Sequence, residues 1–175
     1  MKINLIVALF AVMALAAGVF LQQSHHDNVA TEHVRLQLDF SFPDSNGQLQ
    51  SVSQWQGRIL VINFWGTWCP PCLKEMPEFI QWQQAYQADN VQFVGIAIDD
   101  QQSVTNYLKT LPINYPILIA GDEGSRLSQQ LGNIINAVPF TVIVNQAGQI
   151  VHRQPGELSK QQFLDVLQPL LGKNQ

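Results

Sequence analysis

The tightest constraint on this chain is the segment Phe64 to Pro77, FWGTWCPPCLKEMP, in which the only two cysteines of 175 residues stand three positions apart. A nearly continuous, β-rich apolar run, Ile59 to Trp65, leads into it, and a helical pattern with Leu73, Met76 and Ile80 on one stripe follows. The pair therefore sits where a buried strand gives way to a helix. Cysteines at i and i+3 in a first helical turn put both sulfurs on one side, within bonding reach, and the Cys69 sulfur then faces backbone N–H groups that have no intrahelical partner. Those donors stabilise a thiolate. Cys69 is thus the candidate attacking sulfur at neutral pH, and Cys72, one turn deeper, the shielded resolving thiol. Pro70 and Pro71 suit a first turn that needs no N–H from them, although they also remove two donors that would otherwise hold the thiolate.

Two cysteines are too few for a disulfide scaffold or for a four-thiolate zinc or iron-sulfur site. A purely structural bridge explains the pair badly, because closing so short a loop restricts few unfolded conformations. A metal-binding pair would need distant ligands such as His152 or His25, His26 and His33, and no spacing points to such a cluster. Nine basic against thirteen acidic residues give a formal charge of −4, with no basic stripe to neutralise a run of phosphates, so nucleic acid is a poor candidate partner. With 46% hydrophobic and 13% charged residues, the composition is that of a folded globular chain.

Lys2 precedes an apolar run from Leu5 to Leu21, and residues 1–21 read as a membrane anchor or signal segment. The run's length favours an uncleaved anchor, whereas Ala14, Leu15 and Ala16 spell a small-x-small cleavage pattern. No Lys or Arg follows until Arg35, so the positive-inside bias keeps the N-terminus cytoplasmic and sends the rest across the membrane. Residues 22–34 are polar, without periodicity, and read as a tether that includes the three histidines as solvated positions. Residues 35–175 are the domain.

Within it, Val91 to Ile98 and Phe140 to Asn145 are further buried-strand runs, and Gln101 to Leu111 carries helical spacing through Val104, Tyr107, Leu108 and Leu111. Alternation of strand and helix is the signature of an α/β fold. Asn145 to Gly148 forms a turn between two strands, and Ser159 with Gln162 starts a capping box for a last helix with Phe163, Val166, Leu167, Leu170 and Leu171 on one stripe. Pro77 lies inside the catalytic-side helix and predicts a kink. Residues 99–133 add a strand near Tyr115 to Ile119 and two helical patterns. Trp65 reads as core, Trp68 as a contact surface for a partner.

The chain resembles the membrane-anchored, TlpA/ResA-like group of thioredoxin-fold disulfide reductases. The resemblance runs from about Leu36 to Leu171. It rests on Phe64, Trp65, Trp68, Cys69, Pro70, Pro71 and Cys72, on Glu75 and Pro77, on Val138 and Pro139 before the strand FTVIV, and on Gly156, Leu158 and Ser159. It implies a central mixed β-sheet flanked by helices, with an N-terminal strand extension and a central insertion. It also implies a cis Pro139 facing the sulfurs, and a Val138 backbone that pairs with extended substrate. Glu75 projects from the helical face of Cys72 one turn on, where a carboxyl group can exchange a proton with the buried thiol, or simply favours a helix N-terminus. Typical thioredoxins carry a buried aspartate where this chain has Asn63, which cannot shuttle a proton.

The expected chemistry is thiolate exchange without a cofactor beyond the Cys69/Cys72 disulfide: attack by Cys69, a mixed disulfide alongside Val138 and Pro139, and resolution by Cys72. By resemblance the acceptors are oxidised cysteine pairs outside the cytosol, for example apocytochrome c before haem attachment, and the donor is a membrane electron carrier. The same atoms run as an oxidase if the reduced form is sufficiently stabilised. A non-catalytic copper or thiol-binding carrier is the reading from another class.

Overall fold

Ile59–Trp65 is buried at every position, and its side chains alternate between two apolar layers. Ile59, Val61 and Trp65 join one, while Leu60, Ile62 and Phe64 join the other. A strand with two apolar faces must be covered on both. The computed structural model describes residues 38–172, and it meets that requirement with a mixed sheet between helices.

The strands in chain order are β1 (Ser41–Pro43), β2 (Leu49–Ser51), β3 (Ile59–Trp65), β4 (Val91–Ala97), β5 (Ile117–Ile119), β6 (Phe140–Val144) and β7 (Ile150–Pro155). The helices are α1 (Pro70–Tyr86), α2 (Gln101–Leu108), α3 (Gly121–Gln130) and α4 (Lys160–Leu171). Five strands form the central sheet in the order β5-β4-β3-β6-β7. β3 pairs parallel with β4, and β4 with β5, whereas β6 runs antiparallel to β3 and to β7. The expected α/β, thioredoxin-like arrangement is present.

One face of the sheet is covered by Met76, Phe79 and Trp82 of α1, Val104 of α2, and Phe163 and Leu167 of α4. The Trp82 and Phe163 rings stack 4.7 Å apart and 3° from parallel, locking α1 against α4. The opposite layer receives Phe40 and Phe42, Val52 and Trp55, Leu131, and the half-buried Leu127 of α3. The N-terminal strand extension is a hairpin: β1 and β2 form their own antiparallel sheet, and a single bridge, Asp44 to Leu118, ties it to β5.

Several ends differ from the sequence-based expectation, each for a local reason. α2 stops at Leu108 instead of Leu111, because Leu111 precedes Pro112 and the residue before a proline is driven out of the helical region. The Thr110 N–H and hydroxyl both donate to the Tyr107 carbonyl, at 2.8 and 2.7 Å, and close the turn. The strand expected from Tyr115 begins at Ile117, since Pro116 has no N–H to give the ladder. α1 continues through Pro77. The capping box of Ser159 and Gln162 is present in full. Gly95 is required by close approach: a Cβ there would lie 2.6 Å from Ile117 Cδ1 and 3.1 Å from the Trp65 indole nitrogen. Residues 1–37, which hold the expected anchor and tether, lie outside the described residues.

Candidate active site

β3 delivers the chain to Trp65 at the end of the sheet, and Gly66 to Trp68 make the turn into α1. Asp99, at the end of β4's extension, fixes that turn: one of its carboxylate oxygens accepts from the Thr67 N–H at 2.8 Å and from the Thr67 hydroxyl at 2.6 Å. The Cys69 N–H donates to the Gly66 carbonyl. Cys69 is the N-cap of α1, with Pro70 and Pro71 as its first two residues. Since neither proline has an N–H, the first amide free to approach the sulfur is that of Cys72, which donates to Cys69 Sγ at 3.3 Å. The two sulfurs are joined, with S–S 2.05 Å and Cα–Cα 5.3 Å. Cys69 keeps 3% of its surface exposed and Cys72 none. What access remains therefore belongs to the first cysteine.

Glu75 follows one turn later and is only 4% exposed. Its Oε1 accepts from the Asn63 amide at 2.9 Å and its Oε2 from the Leu158 N–H at 3.1 Å. Asn63 also donates to Thr141 Oγ1, its cross-strand partner on β6. Both hydrogen bonds favour the carboxylate, but loss of hydration outweighs them and pushes the Glu75 pKa from the ordinary 4.5 to about 7. Glu157 and Glu78 nearby push the same way. Asn63 is not a proton acceptor; it holds one.

The Val138–Pro139 peptide is cis. Pro139 is buried, and Val138 packs against both apolar layers, including the one that contains Cys69 and Cys72. The pairing of Phe140 with Phe64 sets this peptide at the same end of the sheet as the cysteine turn. Trp68 stands 62% exposed beside that turn, its indole N–H directed at the Ile98 carbonyl at 3.4 Å. Trp65 is fully buried, as expected, with its ring against Tyr107. Among the described residues no three His, Cys, Asp or Glu side chains converge as metal ligands.

Sequence reasoning singled out Cys69, Cys72, Glu75, Trp68, Val138 and Pro139, and the structure brings them to one end of the sheet. It missed the Asp99 clamp and the partners of Glu75 at Asn63 and Leu158. Asp99 follows an apolar strand and precedes a second aspartate that caps α2 through Ser103, and this is the pattern of an ordinary loop.

The sequence model of the Redoxin family matches residues 34–167. Thiol-disulfide oxidoreductase ResA of Halalkalibacterium halodurans is 26% identical over 167 residues, spanning 93% of each chain. The ResA of a Bacillus cereus strain is 25% identical over 166 residues and 94% of each. Among solved structures, a thiol:disulfide interchange protein of the thioredoxin family from Chlorobium tepidum is 31% identical, with a TM-score of 0.68, covering 77% of this chain and 94% of its own. A secreted thiol-disulfide isomerase from Corynebacterium glutamicum shares the fold, with a TM-score of 0.69 at 19% identity over 77% of this chain and 84% of its own. The chain belongs to the Redoxin family, among the ResA-like thioredoxin-fold thiol:disulfide oxidoreductases, and its redox centre is the Cys69–Cys72 pair.

Proposed function

We propose that this thiol:disulfide oxidoreductase is a protein-disulfide reductase working outside the cytosol, held at the membrane by residues 1–21 through a tether of residues 22–34. The arrangement that carries this reading is vertical: Cys69 at the helix start with the remaining access, Cys72 sealed beneath it, and a buried carboxyl one turn further on. In the reduced protein the Cys72 N–H and the helix N-terminus stabilise a thiolate on Cys69. That thiolate attacks one sulfur of a client disulfide, the client's second sulfur leaves as a thiolate, and a mixed disulfide forms against Val138 and Pro139, with Trp68 alongside. Ionised Glu75 takes the proton from Cys72. The Cys72 thiolate then attacks Cys69 Sγ and expels the client's first sulfur. Two electrons have passed to the client, whose two thiolates take up protons from solvent, one of them replacing the proton that Glu75 releases, and the protein holds its own disulfide.

The clients are oxidised cysteine pairs of exported proteins, with an apocytochrome c before haem attachment as the example that the resemblance suggests. A membrane electron carrier restores the reduced state. The reduction potential tests the direction: a value toward about −270 mV supports a reductase, whereas one near about −120 mV, that of a strong oxidant, overturns it. Stoichiometric copper after purification, together with no turnover of disulfide substrates, would favour a carrier instead.

A further inference from the structure

Ile134 and Ile135 are 96% and 70% exposed, on the loop that leads into Val138 and Pro139. Adjacent, outward-facing isoleucines are an expensive feature for a soluble surface, and lone exposed apolar residues do not explain a pair. With Trp68 they make three of the five large apolar side chains exposed among the described residues. Trp68 lies in the turn that follows β3, and the isoleucines lie six and five residues before Phe140, which pairs with Phe64 at that end of the sheet.

The loop is built to hold this pair in place. Buried Asn133 donates from Nδ2 to the Ala137 carbonyl at 2.8 Å and accepts the Ala137 N–H at 3.3 Å, closing the loop at its neck. The Asn136 N–H returns to the Asn133 carbonyl, and Asn136 itself adopts φ +48°, with its side chain bonded to the Ser125 hydroxyl. From β7, the Arg153 Nε donates to the Leu131 carbonyl at 2.7 Å. Gly132 at φ +108° lets the guanidinium pass, since a Cβ there would lie 2.7 Å from Arg153 Nε. A loop whose backbone is already ordered by such a frame loses little backbone freedom when something binds its side chains.

We propose that Ile134 and Ile135 are a specificity-determining contact that grips an apolar side chain of the client polypeptide, close in sequence to the cysteine under attack. This rests on the reductase reading. The occupant is client chain, because the pair is continuous with the segment Val138–Pro139, against which the mixed disulfide forms. Clients with an apolar residue flanking the cysteine are preferred over those with a polar one. A single well-placed apolar contact is expected to favour them about ten-fold in kcat/KM, equivalent to about 1.4 kcal/mol.

The test uses the reduced full-length protein and two synthetic disulfide-bonded peptides, identical except for leucine or serine flanking the cysteine, together with a small aromatic disulfide. Ile134→Ser/Ile135→Ser is compared with the wild type. The expected result is a roughly ten-fold leucine preference in the wild type, reduced to within about two-fold in the variant, with the rate on the small disulfide unchanged. Equal rates on both peptides in the wild type, or a preference that survives in the variant, overturns the inference alone. Equal slowing on all three probes assigns the isoleucines to the fold and also overturns it. Failure of the wild type to reduce any probe overturns the reductase reading. Loss of binding to anionic phosphatidylglycerol vesicles in the variant, with peptide preference intact, assigns the pair to the membrane surface and overturns the inference.

Discussion

Replacing Glu75 by Gln keeps the side chain's shape and removes its ionisation, which isolates the one buried acid of the site. In the oxidised protein the carboxyl titrates at about 7 instead of the ordinary 4.5, chiefly because burial penalises its charged form. Each decade of acidity is worth about 1.36 kcal/mol. The interval therefore links about 3 kcal/mol of folding free energy to this single proton. The folded state binds the proton more tightly than the unfolded chain does. Glu75's contribution is accordingly complete below about pH 4.5 and is lost as the pH rises through about 7. Urea unfolding of wild type and Glu75→Gln, followed by tryptophan fluorescence at pH 4.5, 6 and 8, should show the wild type losing about 3 kcal/mol relative to the variant across that range. A constant offset between the proteins is expected as well. Glutamine offers one accepting oxygen where the Asn63 amide and the Leu158 N–H require two, at a cost of about 1–3 kcal/mol independent of pH. Only the slope is diagnostic. In the reduced protein the same substitution should slow resolution of a mixed disulfide about a hundred-fold at neutral pH and erase its inflection near 7. Parallel stability curves would refute the buried, protonatable carboxyl. An unchanged Cys72 titration would remove Glu75 from the mechanism.

Three further outcomes follow from the structure. In the reduced protein at neutral pH, iodoacetamide should modify Cys69 and spare Cys72, as read by peptide mass mapping, and Cys72→Ser should hold clients as mixed disulfides that free thiol releases; an inert Cys69 would leave the exchange without its first step. Gly95→Ala should cost about 1–3 kcal/mol in urea unfolding, because the new methyl meets the Ile117 side chain and the stiff Trp65 ring, both buried. A stability equal to wild type would show that this layer has slack that the distances deny.

The sequence carried the sheet well where burial on both faces left no choice. β3, β4 and β6 read as nearly continuous apolar runs, each with one polar residue, because each strand is covered twice. The stop at Leu108 is set by Pro112, four residues on, against an apolar periodicity that favoured Leu111. The cysteines, the turn they occupy and the helix that follows were legible because their chemistry is local. The environment of Glu75 was not. Its partners are 12 residues back at Asn63 and 83 residues ahead at Leu158, and no pattern within one segment relates them. Asn63 in particular looked like a lost proton acceptor, whereas folding makes it the donor that steadies one. Ile134 and Ile135 carried no signal in the sequence; the structure exposes them on a loop that Asn133 closes.

The register of β3 against β6 has a consequence for how such a protein can change its clientele. The reactive pair follows one strand and Val138–Pro139 precedes its neighbour, so in the proposed exchange the separation between attacking atom and docking backbone is inherited from hydrogen bonds between two buried strands. In the proposed exchange the tips that meet a client, at Trp68 and at the isoleucine loop, hang outside that frame. Evolution, or a protein engineer, can therefore rewrite who is served while the machinery that serves them keeps its alignment.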